Sequence, residues 1–425
     1  MIHNAAYGAP LLRRLREHSA ARPHQFHIPG HKCGRGMDRE FREFVGENAL
    51  AIDLVNIAPL DDLHSPHGVI RQAEELAAAA FGAERCFFSV QGTSTAIMAM
   101  IMSVCGPGDK ILMPRNAHRS AMAAVILSGA VPVFLRPEID RKLGIAHGVS
   151  PETVQAALQL HSEARAMLLV NPTYFGVCAD VAAIAQMVHA YDIPLLVDEA
   201  HGAHLYFHPQ LPPSAMTSGA DAAAVSMHKL CGSLTQSSLL NIQGQLVSAR
   251  RVRAMLSLLT TTSTSYLLLS SLDAARRHMV THGEELLGNA LRLANYARRE
   301  INRIPGLYCP GLTLEDGCRA RFAYDPTKLL ISVSDLGISG LEVEKRLRHE
   351  FQTEVELSDP HNILCVITIA DTASEIDHLL KALRTIASTC SPVSGYSMHL
   401  PQAREHALAI SPRQALYAQT MPVPI

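Results

Sequence analysis

Ser226-Met-His-Lys-Leu-Cys-Gly-Ser233 follows directly on the apolar run from Ala222 to Ser226. A lysine at a strand exit, beside a histidine and small residues, is placed for Schiff-base chemistry. Partial desolvation and neighbouring positive charge lower an ammonium pKa, which makes the neutral amine available near neutral pH. The plainer reading of Lys229 is a solvated side chain. Upstream, Leu195-Leu-Val-Asp-Glu-Ala-His-Gly-Ala-His204 closes another buried run with Asp198. A carboxylate at the C-terminal end of a parallel strand points into the crevice where such sheets bind ligands. There it can pair with a protonated pyridine nitrogen, or it can simply cap the following turn. His201, His204 and His208 are neighbours in sequence, but their spacing matches no common zinc motif, so no metal is expected.

Further out, Gln91-Gly-Thr-Ser-Thr95 lies between a strand and an apolar helix. Its glycine permits a tight turn, and Thr93, Ser94 and the free N–H groups of the helix start can hold a phosphate. Arg115-Asn-Ala-His118 follows the next strand, where an imidazole can lie flat on a bound aromatic ring or sit exposed at a helix start. Short apolar runs at Cys86 to Val90, Lys110 to Met113, Val131 to Leu135, Ala166 to Val170, Pro194 to Val197, Ala222 to Ser226 and Ser238 to Ile242 read as buried strands. Many are separated by helical stretches such as Thr93 to Cys105 and Val181 to Tyr191. This alternation predicts an α/β fold with a mainly parallel seven-stranded sheet covered by helices.

Residues 1–60 read as an N-terminal arm, with a helix over Pro10 to Ala20 and the interrupted loop His27 to Gly36. Residues 61–303 form the large domain. Beyond Pro305 and Gly306, residues 304–390 read β-α-β-β-α, with a strand expected at Glu354 to Leu357, as suits a small α+β domain. Residues 391–425 form a Pro-rich C-terminal segment. Across 425 residues, 37 Lys and Arg stand against 39 Asp and Glu, so no basic field is offered to nucleic acid. No apolar run approaches the roughly 20 residues of a membrane helix. Nine cysteines without a C-x-x-C pair predict mostly buried thiols in a reducing, cytoplasmic setting.

The order of these fragments resembles a pyridoxal-phosphate (PLP) enzyme of fold type I, the aspartate-aminotransferase fold. More closely, the chain resembles the Orn/Lys/Arg decarboxylase family. The blocks that carry the likeness are His27-Ile-Pro-Gly-His-Lys32, Asp61-Asp-Leu-His-Ser-Pro-His-Gly68, Gln91 to Thr95, Arg115 to Ser120, Asn171-Pro-Thr-Tyr174, Asp198 to His204 and His228-Lys229 with Gly232 to Gln236. The resemblance implies an aldimine between Lys229 and the cofactor, Asp198 on the pyridine nitrogen, and His118 stacked on the ring. It also implies Thr93, Ser94, Ser226 and His228 around the phosphate, and His201 beside the ring. Thr262, with Ser263, is the candidate by which a partner subunit completes the phosphate site in a homodimer or larger homo-oligomer.

The implied reaction converts arginine, lysine or ornithine to the corresponding amine and CO2. The distal cation of such a substrate needs an acidic partner; Glu354 and Glu356 are the candidates, with Asp61 and Asp62 behind them. Asn362 stands near the position where aminotransferases of this fold carry a carboxylate-binding arginine, which favours losing the carboxylate over keeping it. The resemblance also implies a short form, without the wing domain and most of the C-terminal domain of longer members. The competing expectations are another PLP reaction on the same scaffold (transamination, aldol cleavage or oxidative deamination), or a shortened paralogue without catalysis.

Overall fold

The computed structural model describes residues 7–311, 318–391 and 408–421. Most of the C-terminal segment, residues 392–407 and 422–425, lies outside the described residues. Seven strands form one sheet: β1 (Arg85–Ser89), β2 (Lys110–Pro114), β3 (Val131–Leu135), β4 (Ala166–Val170), β5 (Leu195–Glu199), β6 (Ala222–Ser226) and β7 (Ser238–Ile242). Their spatial order is β1-β7-β6-β5-β4-β2-β3. From β3 through β6 all pairings are parallel. β7 runs antiparallel to both β6 and β1. A parallel return needs a crossover of a dozen or more residues, and residues 227–237 are too few, so the chain doubles straight back.

Every residue of β5, β6 and β7 is buried, as expected of strands covered on both faces. One face packs on the helix Gly92–Val104 through Ala96, Met100, Ala222, Ala224 and Leu240. The opposite face carries the arm helix Pro10–Ala20, whose buried Leu11 and Leu15 join Phe88, Leu239 and Tyr266 in a second core. Proline opens that helix at a position with no N–H to satisfy.

The helix Tyr266–Ile301 runs 36 residues, about 54 Å at 1.5 Å per residue. Its first turns belong to the core beneath the large sheet, and Ala290, Ala294, Ala297 and Ile301 belong to a separate core. That separate core lies under a three-stranded antiparallel sheet of Lys328–Ser332, Asn362–Val366 and Leu357–Ser358. Helices Gly340–Phe351 and Ala373–Ser388 cover it. The strand expected from Glu354 is reduced to Leu357–Ser358. The chain is still turning off the preceding helix there: Gln352 adopts φ 49 and the Thr353 N–H donates to Leu347 O. Glu354 and Glu356 therefore sit on a loop.

Candidate active site

Asp198 ends on the central strand β5, level with Ala224 of β6 and Val170 of β4. The turn after β6 is the single-turn helix Met227–Leu230, which carries Lys229. Register and turn together bring Lys229 and the segment after Asp198 to the same carboxyl edge of the sheet, as alternating strand and helix require. A cleft of about 820 Å³ opens there. His201, His228 and Lys229 line it from the large sheet, and Lys328, Glu354, Glu356, Thr368 and Asp371 line it from the small one.

Lys229 Nζ lies 2.8 Å from His201 Nε2. Burial pushes the Lys229 ammonium below its ordinary pKa, against the opposing pull of Asp198 and Glu356. Asp198 is 5% exposed, and burial raises its carboxyl pKa although the Ala200 N–H, His118 and Lys229 act to lower it. One oxygen accepts from the Ala200 N–H at 3.2 Å, which leaves the other free to accept. His118 caps the helix Arg119–Ser128: its Nδ1 accepts the Ser120 N–H at 3.2 Å. That fixes the neutral tautomer with the proton on Nε2, so the exposed ring presents a donor.

The phosphate candidates divide. Ser94 is exposed near the start of the helix Gly92–Val104, with amide groups that no preceding turn satisfies. Gly92 has φ +78, and a Cβ built on it meets nothing within 4 Å, so the helix entrance stays open. Thr93 and Ser226 are buried instead: their hydroxyls bond each other, and Thr93 Oγ1 lies 2.7 Å from Ser238 Oγ. They lock the helix start onto β6 and β7 beneath Ser94. His228 turns its Nδ1 to Ser237 O at 3.0 Å, which leaves Nε2 toward the cleft. Thr262 is exposed on a loop that is tied down where the Thr261 N–H donates to Gln91 Oε1 at 2.7 Å.

Of the acidic candidates, Glu354 is held by Arg348 Nε, 2.9 Å from each carboxylate oxygen. Glu356 accepts from the Tyr174 hydroxyl, and its charge acts on both Lys229 and Lys328. Asp61 is turned to the backbone: it accepts N–H groups of Asp62, His67, Gly68 and Ile70 at 2.8–3.0 Å. Asp62 accepts the His64 N–H at 2.9 Å. Asn362 is fully buried and donates to Leu143 O at 2.8 Å and to Asp359. Among the described residues lining the cleft there is no arginine.

The three neighbouring histidines diverge. His201 faces the cleft, His204 Nε2 lies 3.0 Å from Asp325 Oδ2 in a fully buried pair, and His208 Nδ1 accepts the Gln210 N–H. Three residues of the site carried no role in the sequence reading. Tyr174 sets its ring 4.5 Å from that of His201. Lys328 is 1% exposed with Nζ 3.2 Å from His201 Nδ1, and Asp325 lies beneath it. A charged residue opening the otherwise apolar run Lys328-Leu-Leu-Ile was the available signal. Six of the nine cysteines are buried and all are free, in line with the expected buried thiols.

The amine, the buried carboxylate beside it and the open helix entrance form a donor set that fits a phosphorylated pyridine aldehyde. The sequence profile for Orn/Lys/Arg decarboxylase, major domain, matches residues 9–375. The chain belongs to the Orn/Lys/Arg decarboxylase family. It is 56% identical over 420 residues to the arginine decarboxylase of Bacillus cereus, covering 98% of this chain and 91% of that protein. It is 55% identical to the arginine decarboxylase of Bacillus subtilis, covering 98% and 85%. Among solved structures, lysine decarboxylase A from Pseudomonas aeruginosa superposes with a TM-score of 0.81 at 26% identity. The match covers 91% of this chain and 60% of that one. The Francisella novicida lysine decarboxylase LdcF gives a TM-score of 0.79 at 24% identity, with 89% and 60% covered. The chain thus spans about 60% of the length of these two solved relatives.

Family membership bears out the reading as a carboxy-lyase acting on a basic amino acid. The fold is that of the fold-type-I decarboxylases, as expected. Among the described residues, no helix is long and apolar enough to cross a membrane.

Proposed function

We propose that the chain decarboxylates arginine with pyridoxal 5'-phosphate held at the carboxyl edge of its sheet, in the cytoplasm and as a homodimer or larger homo-oligomer. The observation that carries this reading is the Lys229 amine, 2.8 Å from His201 in the cleft at the carboxyl edge, with the charge of buried Asp198 acting on it. Lys229 would join the cofactor aldehyde, Asp198 would pair with its ring nitrogen and His118 would cover its ring. Ser94 and His228 would meet its phosphate, over the Thr93–Ser226 clasp. When bound, the group supplies an electron sink for the pair freed as the Cα–carboxylate bond breaks.

The chain's own contribution is to set protons and orientation. The lowered Lys229 pKa shifts the balance toward the neutral amine that must attack. Asp198 keeps one oxygen free to hold a proton on a nitrogen facing it, and a buried carboxylate acts there at low dielectric. His118 presents its Nε2–H on the open side. With no arginine lining the cleft among the described residues and Asn362 locked into the small sheet, no guanidinium there clamps an α-carboxylate. That favours loss of the carboxylate over transamination. Glu356 suits the distal guanidinium better than Glu354, whose charge Arg348 already balances. Residues 61–303 would bind the cofactor and residues 304–390 would close the substrate side.

The test is a panel of arginine, lysine and ornithine, each labelled at the carboxyl carbon, given to the PLP-loaded protein. The reading expects labelled CO2 and an equal amount of amine, fastest from arginine. Keto-acid formation with an acceptor, and no CO2, would overturn it.

A further inference from the structure

The lysine that the reaction scheme leaves unused is the most enclosed cation of the cleft. Lys328 opens the strand Lys328–Ser332, and its stem is fitted to the fold. Gly176, at φ +90, approaches so closely that a Cβ built there would lie 2.8 Å from Lys328 Cγ and 2.9 Å from its Cβ. Arg298 and the Tyr324 hydroxyl hold its carbonyl at 2.9 and 3.1 Å. Enclosing an ammonium is costly, and an apolar side chain of similar length would fill the same volume. What the amine does make is a contact. Lys328 Nζ meets His201 Nδ1 at 3.2 Å, and the other nitrogen of that ring meets Lys229 Nζ at 2.8 Å. Two amines thus share one imidazole, end to end.

We propose that Lys328 is a positioning residue for Lys229: it takes up, through the imidazole of His201, the proton that Lys229 must release before its amine can attack, and later returns it. This rests on the reading of Lys229 as the cofactor-binding lysine. In the first state the Lys229 ammonium donates to bare Nε2, and the Nδ1–H donates to the lone pair of neutral Lys328. One N–H bond breaks on Lys229 as one forms at Nε2; one breaks at Nδ1 as one forms on Lys328. In the second state the Lys328 ammonium donates to bare Nδ1, and the Nε2–H donates to the lone pair of Lys229. Each state carries one excess proton, a neutral imidazole and two filled hydrogen bonds, so neither is left with an unpaired buried group.

The charged and titratable groups facing this chain are Asp198 and Glu356 at Lys229, Asp325 and Glu356 at Lys328, and His118, His204 and the Tyr174 ring beside His201. Burial, with the two lysines, holds His201 well below its ordinary pKa, consistent with a ring that stays neutral in both states. Burial brings Lys328 down to about 8, within reach of a proton exchange at neutral pH.

The test is the pH profile of Lys229 acylation by an amine-directed reagent, read by peptide mass spectrometry on the full chain freed of cofactor. Neither cofactor nor substrate takes part, so failure here leaves the decarboxylase reading standing, and failure to release CO2 leaves this result standing. Lys328→Met removes the second amine. Lys229 then keeps its proton, and its labelling at neutral pH falls by at least about tenfold, one pKa unit. Lys328→Arg retains a fixed cation on the Nδ1 side, so Lys229 stays as reactive as in the unaltered protein. Should the Met variant fail to fold, Lys328→Gln, which keeps a donor for Nδ1 without the charge, carries the same expectation of a tenfold fall. An unchanged profile in a folded neutral variant, or the same fall in Lys328→Arg, overturns the proposal.

Discussion

Asp198 is buried and Lys229 is exposed, and loss of solvent moves the two in opposite directions. Desolvation raises the carboxyl pKa and lowers the ammonium pKa, so each is pushed toward its neutral form and each is restrained by the other's charge. Replacing Asp198 with Asn keeps size and the Ala200 contact but removes the charge. We expect Asp198→Asn to bind cofactor and lose at least about 100-fold in kcat, the scale of losing one electrostatic contact to the reacting group. Steady-state kinetics on the cofactor-saturated variant checks this, and a loss in KM alone would point to a substrate-binding role instead. Both residues were legible in the sequence because each stands at the end of an apolar run. Lys328 carried only its charge, and its meaning depends on a histidine 127 positions away in the chain.

At the scale of elements, the loop before the helix Val69–Ala80 is built around one carboxylate. Asp61 sits at φ 69 and gathers four backbone N–H groups at 2.8–3.0 Å. Its own carbonyl accepts the Tyr266 hydroxyl at 2.5 Å, joining the loop to the long helix. Burial alone would raise its pKa, but the amides of His67, Asp62, Gly68 and Ile70 together lower it. Since the folded pKa lies below the unfolded one, the stability gained is complete above the ordinary carboxylate pKa and is lost as pH falls through the lowered value. Asp61→Ala is expected to cost about 2–3 kcal/mol at neutral pH, the range for hydrogen bonds to a buried charge. Urea unfolding should show the gap to the unaltered protein closing toward acid pH.

The strands and helices of the large sheet match the sequence reading to within a residue or two, because fully buried strands read as continuous apolar runs. Glu354 to Leu357 did not, since polar flanking residues and a turn off the preceding helix override a weak strand pattern. The direction of the hydroxyls of Thr93 and Ser226 was equally hidden: side-chain partners across strands are a tertiary fact.

For the whole molecule, the long helix Tyr266–Ile301 links the two cores, and the arm is clamped to it. Leu11 N–H donates to Asp273 at 2.9 Å, and Arg276 pairs with Asp273 at 2.8 Å within the protein. Beyond the arm helix, Phe26 (98% exposed), Ile28 and Phe44 (89%) face outward, an unusual exposure for large apolar side chains. The homodimer proposed above would cover them, and sedimentation of the unaltered chain is then expected to give a dimer or larger species. Phe26→Ser with Phe44→Ser should shift it toward monomer.

One particular amine of the cleft is proposed to carry the cofactor, yet two lysines flank the same imidazole. Borohydride reduction of the PLP-loaded protein fixes the cofactor to whichever amine holds it, and peptide mapping then names the residue. The account predicts modification at Lys229 and none at Lys328. Cofactor trapped on Lys328, or on neither, would contradict it.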